Sequence, residues 1–223
     1  MKIKITENGP YIVTGNIPIK EMIITPVGKH YEFREGRKLP QSEEYALCRC
    51  GKSKNAPFCD GNHEKSFFRG DETALKEKYI KRIEDAVEGD EITLLDDGRC
   101  CFARFCHTEE GDIWSVTESD GIENHKEMAI KAAKECPAGR LVMIDKEGNI
   151  LEETSEPEII IMQDPQKNSS SAIFVKGPIQ IEGADGTLYE VRNRVALCRC
   201  GKSKNKPFCD ATHAMIEFND GHL

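Results

Sequence analysis

Apolar and polar residues alternate along MKIKITENGPYIVTG at the start of the chain, the period of a half-buried β-strand. EMIITPV (21–27) and HYEF (30–33) continue in the same style, and residues 92–95, 141–144 and 158–162 read as further short strands. Residues 187–197 are strand-like too, with Leu188, Val191 and Val195 mixed among Arg and Asn. Helical spacing appears in only two places. Residues 72–88 read as a helix or an extended linker, and residues 123–135 as a helix with Met128, Ala129, Ala132 and Ala133 on one side. The second stops before Cys136-Pro137, as proline demands. The polar, Ser-rich run 164–171 reads as a linker and the clearest boundary in the chain.

The pattern repeats. Gly9-Pro10 opens GPYIVTGN, Gly177-Pro178 opens GPIQIEGA, and each leads through strand-like sequence into a cysteine-rich loop. With those dipeptides as the register, the first copy carries about eighteen extra residues. The loops, ALCRCGKSKNAPFCDGNH (46–63) and ALCRCGKSKNKPFCDATH (196–213), are identical at fifteen of eighteen positions. Three units follow: 1–70, 71–163 and 164–223. Two β-rich copies in one chain are expected to pack about a pseudo-twofold axis, as the subunits of a symmetric dimer do.

Composition narrows the class. The 223 residues carry a net charge of −8, with 38% hydrophobic and 31% charged residues. The acidic balance argues against a nucleic-acid partner. No apolar run is long enough for a membrane span, and the N-terminal stretch has no signal-peptide core. A cytoplasmic chain is therefore expected, in which ten clustered Cys mean metal rather than disulfides. Small modules bury little apolar surface, so bound metal would supply part of their stability.

Cys48, Cys50, Cys59 and His63 form one candidate ligand set, and Cys198, Cys200, Cys209 and His213 the other. Cys-x-Cys puts two thiolates on one extended loop. The i to i+4 step from Cys59 to His63, or Cys209 to His213, puts both side chains on one face of a helical turn that Asp60 or Asp210 could cap. Three thiolates and one imidazole suit a single Zn²⁺ or an iron–sulfur cluster, and spacing alone does not decide between them. The pattern C-x-C-x2-S-x3-P-x-C-D-x2-H, with Ser53, Pro57 and Asp60 or Ser203, Pro207 and Asp210 in place, resembles the CDGSH iron–sulfur, or NEET-type, family. CDGNH and CDATH depart from the naming motif at positions that are not ligands. The resemblance implies a [2Fe–2S] cluster in each loop and a β-rich fold with the cluster near the surface.

The middle segment has another pattern. Cys100, Cys101 and Cys106 share the loop DGRCCFARFCHTEEG, and Cys136-Pro137 follows the helix. Cys100 to Cys106 equals C-x2-C-x2-C with Ala103 in the middle place. Residues 90–145 resemble the divergent single-cluster bacterial ferredoxin domain. That resemblance implies Cys100, Cys106 and Cys136 as ligands of a [3Fe–4S] cluster, or of a [4Fe–4S] cluster with Cys101 as the fourth by a shifted register; His107 is another option, and a metal-free degenerate domain the alternative. Trp114 is expected to pack, His30, His125 and His222 to lie on the surface, and Glu109, Glu110 and Asp112 to form a solvated acidic loop.

The fold expected is α+β: two small β-rich CDGSH-type modules as a pseudo-dimer, plus a small ferredoxin-like domain. No dinucleotide loop, nucleophile–base pair or cofactor Lys motif is present, so enzymatic activity is not expected. The leading reading is a monomeric electron carrier with redox-protein partners. Cluster storage or transfer to apo iron–sulfur acceptors and redox sensing are alternatives, and a Zn-stapled adaptor is a third class.

Overall fold

A computed structural model describes residues 1–119, 121 and 123–223. The first repeat comprises β1 (Lys2–Ile5), β2 (Tyr11–Thr14), β3 (Ile19–Val27), β4 (His30–Glu35), β5 (Glu44–Leu47) and α1 (Asn62–Lys65). The middle segment comprises α2 (Tyr79–Arg82), β6 (Asp85–Glu88), β7 (Ile92–Asp96), β8 (His107–Thr108), β9 (Gly111–Asp112), α3 (Ile113–Glu118), α4 (His125–Glu135) and β10 (Leu141–Asp145). The second repeat comprises β11 (Glu158–Asp164), β12 (Ser169–Lys176), β13 (Gln180–Glu182), β14 (Arg194–Leu197) and α5 (Thr212–Met215).

The repeats exchange strands. One sheet runs β13-β1-β2-β5 and the other β14-β12-β11-β3-β4. β13 of the second repeat lies parallel to β1, and β3 of the first lies parallel to β11. This reciprocity is a pseudo-twofold arrangement within one chain. Neither repeat could close a core alone, and the inner faces of both sheets share one. Ile3, Ile5, Val13 and Leu47 meet Ile159, Ile161, Ile173 and Leu197 there.

The ladders correct the internal register. Tyr11 pairs with Leu47 and Ile173 with Leu197, so Tyr11 corresponds to Ile173. Gly177 therefore matches Gly15 rather than Gly9, and between this point and the cysteine loop the first repeat is longer by twelve residues, not about eighteen. Gly-Pro marks a turn, but only pairing fixes which residues face each other. The Ser-rich run is not a linker either. Pro165–Lys167 is a single 3₁₀ turn joining β11 to β12, and Ser169, Ser170 and Ser171 are buried strand residues. Residues 72–88 are mostly irregular, with one helical turn, α2, before β6. Of 187–197 only β14 is strand, because Leu188 and Val191 face solvent.

In the middle segment β10, β7 and β6 make an antiparallel sheet. α3 and α4 cover it through Ile113, Val116, Ala129, Ala132 and Ala133, which meet Ile92, Leu94, Leu141 and Met143. Trp114 packs at the edge of this core. The segment also lies on the outer face of the second sheet, where Cys101, Ala103 and Phe105 meet Ile160, Met162, Phe174 and Ala196. β12 is consequently buried nearly throughout, whereas β1 keeps an alternating pattern.

Candidate metal centres

Each loop is pinned to the strand before it. The Cys48 N–H donates to the Pro57 carbonyl and the Cys59 N–H to that of Ala46, both at 2.8 Å; Cys198 to Pro207 and Cys209 to Ala196 repeat this at 2.8 and 2.9 Å. Ser53 and Ser203 donate to the Phe58 and Phe208 carbonyls at 2.6 and 2.7 Å. Asp60 accepts from the N–H groups of Lys54 and Asn62, and Asp210 from those of Lys204 and Thr212, so each carboxylate ties the loop to its helical turn. Gly51 and Gly201 hold φ of 71° and 75°. A Cβ at Gly51 would stand 2.6 Å from the Cys200 carbonyl oxygen, and one at Gly201 2.6 Å from that of Cys50. The two loops thus touch backbone to backbone across the pseudo-twofold axis.

The expected ligands gather in pairs. Cys48 and Cys50 sulfurs are 3.7 Å apart, and Cys198 and Cys200 sulfurs 3.6 Å. The Cys59 sulfur is 3.4 Å from His63 Nδ1, and the Cys209 sulfur 3.3 Å from His213 Nδ1. Sulfurs about 2.3 Å from one tetrahedral metal ion lie at such separations. Among the described residues, no three His, Cys, Asp or Glu side chains converge on one ion position. Cys48 and Cys198 are pushed down to about 6 by the hydrogen bond from the neighbouring thiol, and the same contact pushes Cys50 and Cys200 up. Each Cys-x-Cys pair therefore readily loses one proton, as thiolate ligation of a metal requires.

The surroundings differ. The His63 side chain is 18% exposed, with Nε2 4.0 Å from Glu64. His213 is only 3% exposed, and its Nε2 meets Ser171 Oγ at 3.3 Å. Burial first, and the charge of Arg199 next, push His213 down to about 4. Arg199 pairs with Asp220, whose carboxyl sits below the ordinary range: burial opposes this, but Arg199 and hydrogen bonds from Ser170 and Gln163 outweigh it.

In the middle segment Cys106 is pushed up to about 12 by burial first, then by Cys136 and Cys100 close by. Cys101 is fully buried beside Cys209 of the second loop, with Cys136 and Cys100 also near it, and its thiol is pushed well up by burial. Cys100 accepts from the Phe102 N–H at 3.2 Å, and Ala103 is buried. His107 lies in β8 and is exposed. The acidic loop is more than solvated: Glu109 accepts from the Lys29 N–H and lies 2.6 Å from His30, and Asp112 caps α3 through the Ser115 N–H. Sequence reasoning missed Ser171, Asp220 and the buried Arg104–Asp164 pair. Their signal lies outside the eighteen-residue motif, where the copies diverge.

Thiolate-rich donor sets in pairs fit iron–sulfur chemistry. Residues 8–64 and 171–214 match the family model of the iron-binding zinc finger, CDGSH type. Residues 87–146 match that of a divergent 4Fe-4S mono-cluster. No curated protein and no solved structure matches the chain.

Proposed function

We propose that this iron–sulfur binding protein, two CDGSH-type segments around a divergent 4Fe-4S mono-cluster segment, is a one-electron carrier. The pairing of donors carries the reading. Each terminal loop offers two sulfurs 3.6–3.7 Å apart and, separately, a sulfur and an imidazole nitrogen 3.3–3.4 Å apart. That is one pair for each of two irons, whereas zinc needs all four donors around one point. Cys48, Cys50, Cys59 and His63 would hold one [2Fe–2S] group, and Cys198, Cys200, Cys209 and His213 another. Such a group, when bound, takes up and returns single electrons.

The chain contributes position and environment. Cys100, Cys106 and Cys136 would hold a third cluster, and Ala103 in the remaining ferredoxin place favours the three-iron form. Cys101 packs in one cluster with Cys209 and also has Cys136 and Cys100 near it, and the Gly51 and Gly201 turns bring the two terminal loops together. The three donor sets are thus neighbours, as a relay requires. Purified protein is expected to be red-brown, to bleach with dithionite, and to contain iron and sulfide for two [2Fe–2S] groups and one more. Electron paramagnetic resonance of the oxidised protein should show the three-iron centre alone. Colourless protein with stoichiometric zinc would overturn the reading.

The partly exposed His63 side chain, against the buried His213, favours a second reading, release of the first cluster to an apo iron–sulfur acceptor. Incubation with an apo-ferredoxin, followed by separation and iron counts, distinguishes the two. A carrier keeps its iron, and a donor loses that of one loop.

A further inference from the structure

The terminal loops are near-identical, but one buried charge is treated differently in each. Between the first two cysteines of each loop stands an arginine, Arg49 or Arg199, only 2% and 3% exposed. Both sit in the same backbone cradle. Arg49 donates to the Gly9 and Thr6 carbonyls at 2.9 and 3.2 Å, and Arg199 to those of Ser171 and Met162 at 2.6 and 2.8 Å. Arg199 also pairs with Asp220, itself buried. Counted from the motif, Gly70 stands where Asp220 does, and a Cβ there would lie 2.1 Å from Arg49 Nη2. Among the described residues Arg49 has no carboxylate partner, and its Nη1 is buried without a hydrogen bond. The rings of Tyr11 and Phe68 face it, at 5.6 and 5.4 Å.

A buried cation without a counter-charge is costly unless something anionic stands beside it. Three thiolates and a neutral imidazole leave a [2Fe–2S] site anionic, and reduction adds one more negative charge. We infer, resting on the reading above, that Arg49 tunes the first site: its unpaired guanidinium favours the added electron there, so the first loop's iron is reduced before the second's. The step is one electron from a one-electron reductant to one ferric ion, which becomes ferrous, with no bond broken. At the second loop Asp220 cancels Arg199, Asp164 cancels Arg104, and burial around His213 disfavours added charge. Three features act the other way: Arg99, over the Phe208 ring at 4.3 Å but with Asp97 close by, Lys206 in place of Ala56, and Glu64 near His63. Glu64 is 83% exposed and Lys206 is partly in water, so both are screened.

A mediated redox titration of the intact, cluster-loaded chain, followed by electron paramagnetic resonance, tests this. Two [2Fe–2S] waves are expected, assigned by His63→Cys, which alters the signal of the first site. Arg49→Met should move the higher-potential wave to more negative potential, and Arg49→Lys, which keeps the charge, should restore most of it. Asp220→Asn should move the lower wave upward, and it decides the matter alone if Arg49→Met does not fold. Coincident waves in the unmodified protein, a first-site wave indifferent to Arg49→Met, or a second-site wave indifferent to Asp220→Asn would each overturn the inference while leaving the carrier reading intact. Protein without iron and sulfide overturns both.

Discussion

His63 and His213 hold the same place in two near-identical loops, yet one side chain is partly exposed beside Glu64 and the other is buried against Ser171. Metal ligation needs the neutral ring, and protonation at the ligating nitrogen competes with iron. At the second site burial holds the imidazole down to about 4 against an ordinary 6.5. Its neutral form, and the stability that depends on it, is therefore intact above the ordinary value and declines as the pH falls through the window between the two. With the His63 side chain more exposed than His213, acid loss of visible absorption should be biphasic in time, with the first site the faster. His63→Cys should remove the fast phase and His213→Cys the slow one, and a single phase in the unmodified protein would contradict this. The candidate donors that the fold brings into pairs were legible because chelation requires fixed spacing along the chain. The different settings of Arg49 and Arg199 were not, since Gly70 and Asp220 lie beyond the motif.

α5 carries His213 against β12, and Ser171 is the strand residue that meets the ring. Gly9 occupies the corresponding place beneath the first loop, with no side chain to offer, as the ladders show. Ser171→Ala should leave a buried imidazole nitrogen unpaired, at about 1–3 kcal/mol. Chelator-driven iron loss should then accelerate at the second site alone, and equal acceleration at both would refute the assignment. Strands with a solvent face, such as β1, were readable from alternation. β12 was not, because its serines are buried by neighbours from elsewhere in the chain, and a polar run so placed looks like a linker. The 72–88 stretch has helical spacing but only one helical turn, an instance of tertiary context outweighing a weak local signal.

The middle segment meets both repeats, the first through Glu109 at Lys29 and His30 and through Phe105 against Phe33, but its buried ion pairs run to the second. Arg104 makes two hydrogen bonds to Asp164, at 2.6 and 2.9 Å, in a buried pair that ties the cysteine loop to the β11–β12 turn. Arg194 of β14 reaches the carbonyls of Ala133, Cys136 and Leu141 from the other side. Arg104→Met strands a buried carboxylate and should destabilise the protein by about 3–5 kcal/mol, measured by denaturant unfolding of the loaded chain. A change within about 0.5 kcal/mol would mean that the pair does not hold the segments together. By itself the sequence determined the duplication, the α+β character and the iron–sulfur family resemblance, and it marked the candidate donors, because each rests on residue type and spacing along the chain. The exchange of β3 and β13, the true register of the repeats, and the burial of one site beneath the middle segment were decided only in three dimensions. They depend on which surfaces meet, and two loops with fifteen of eighteen residues in common cannot encode different neighbours.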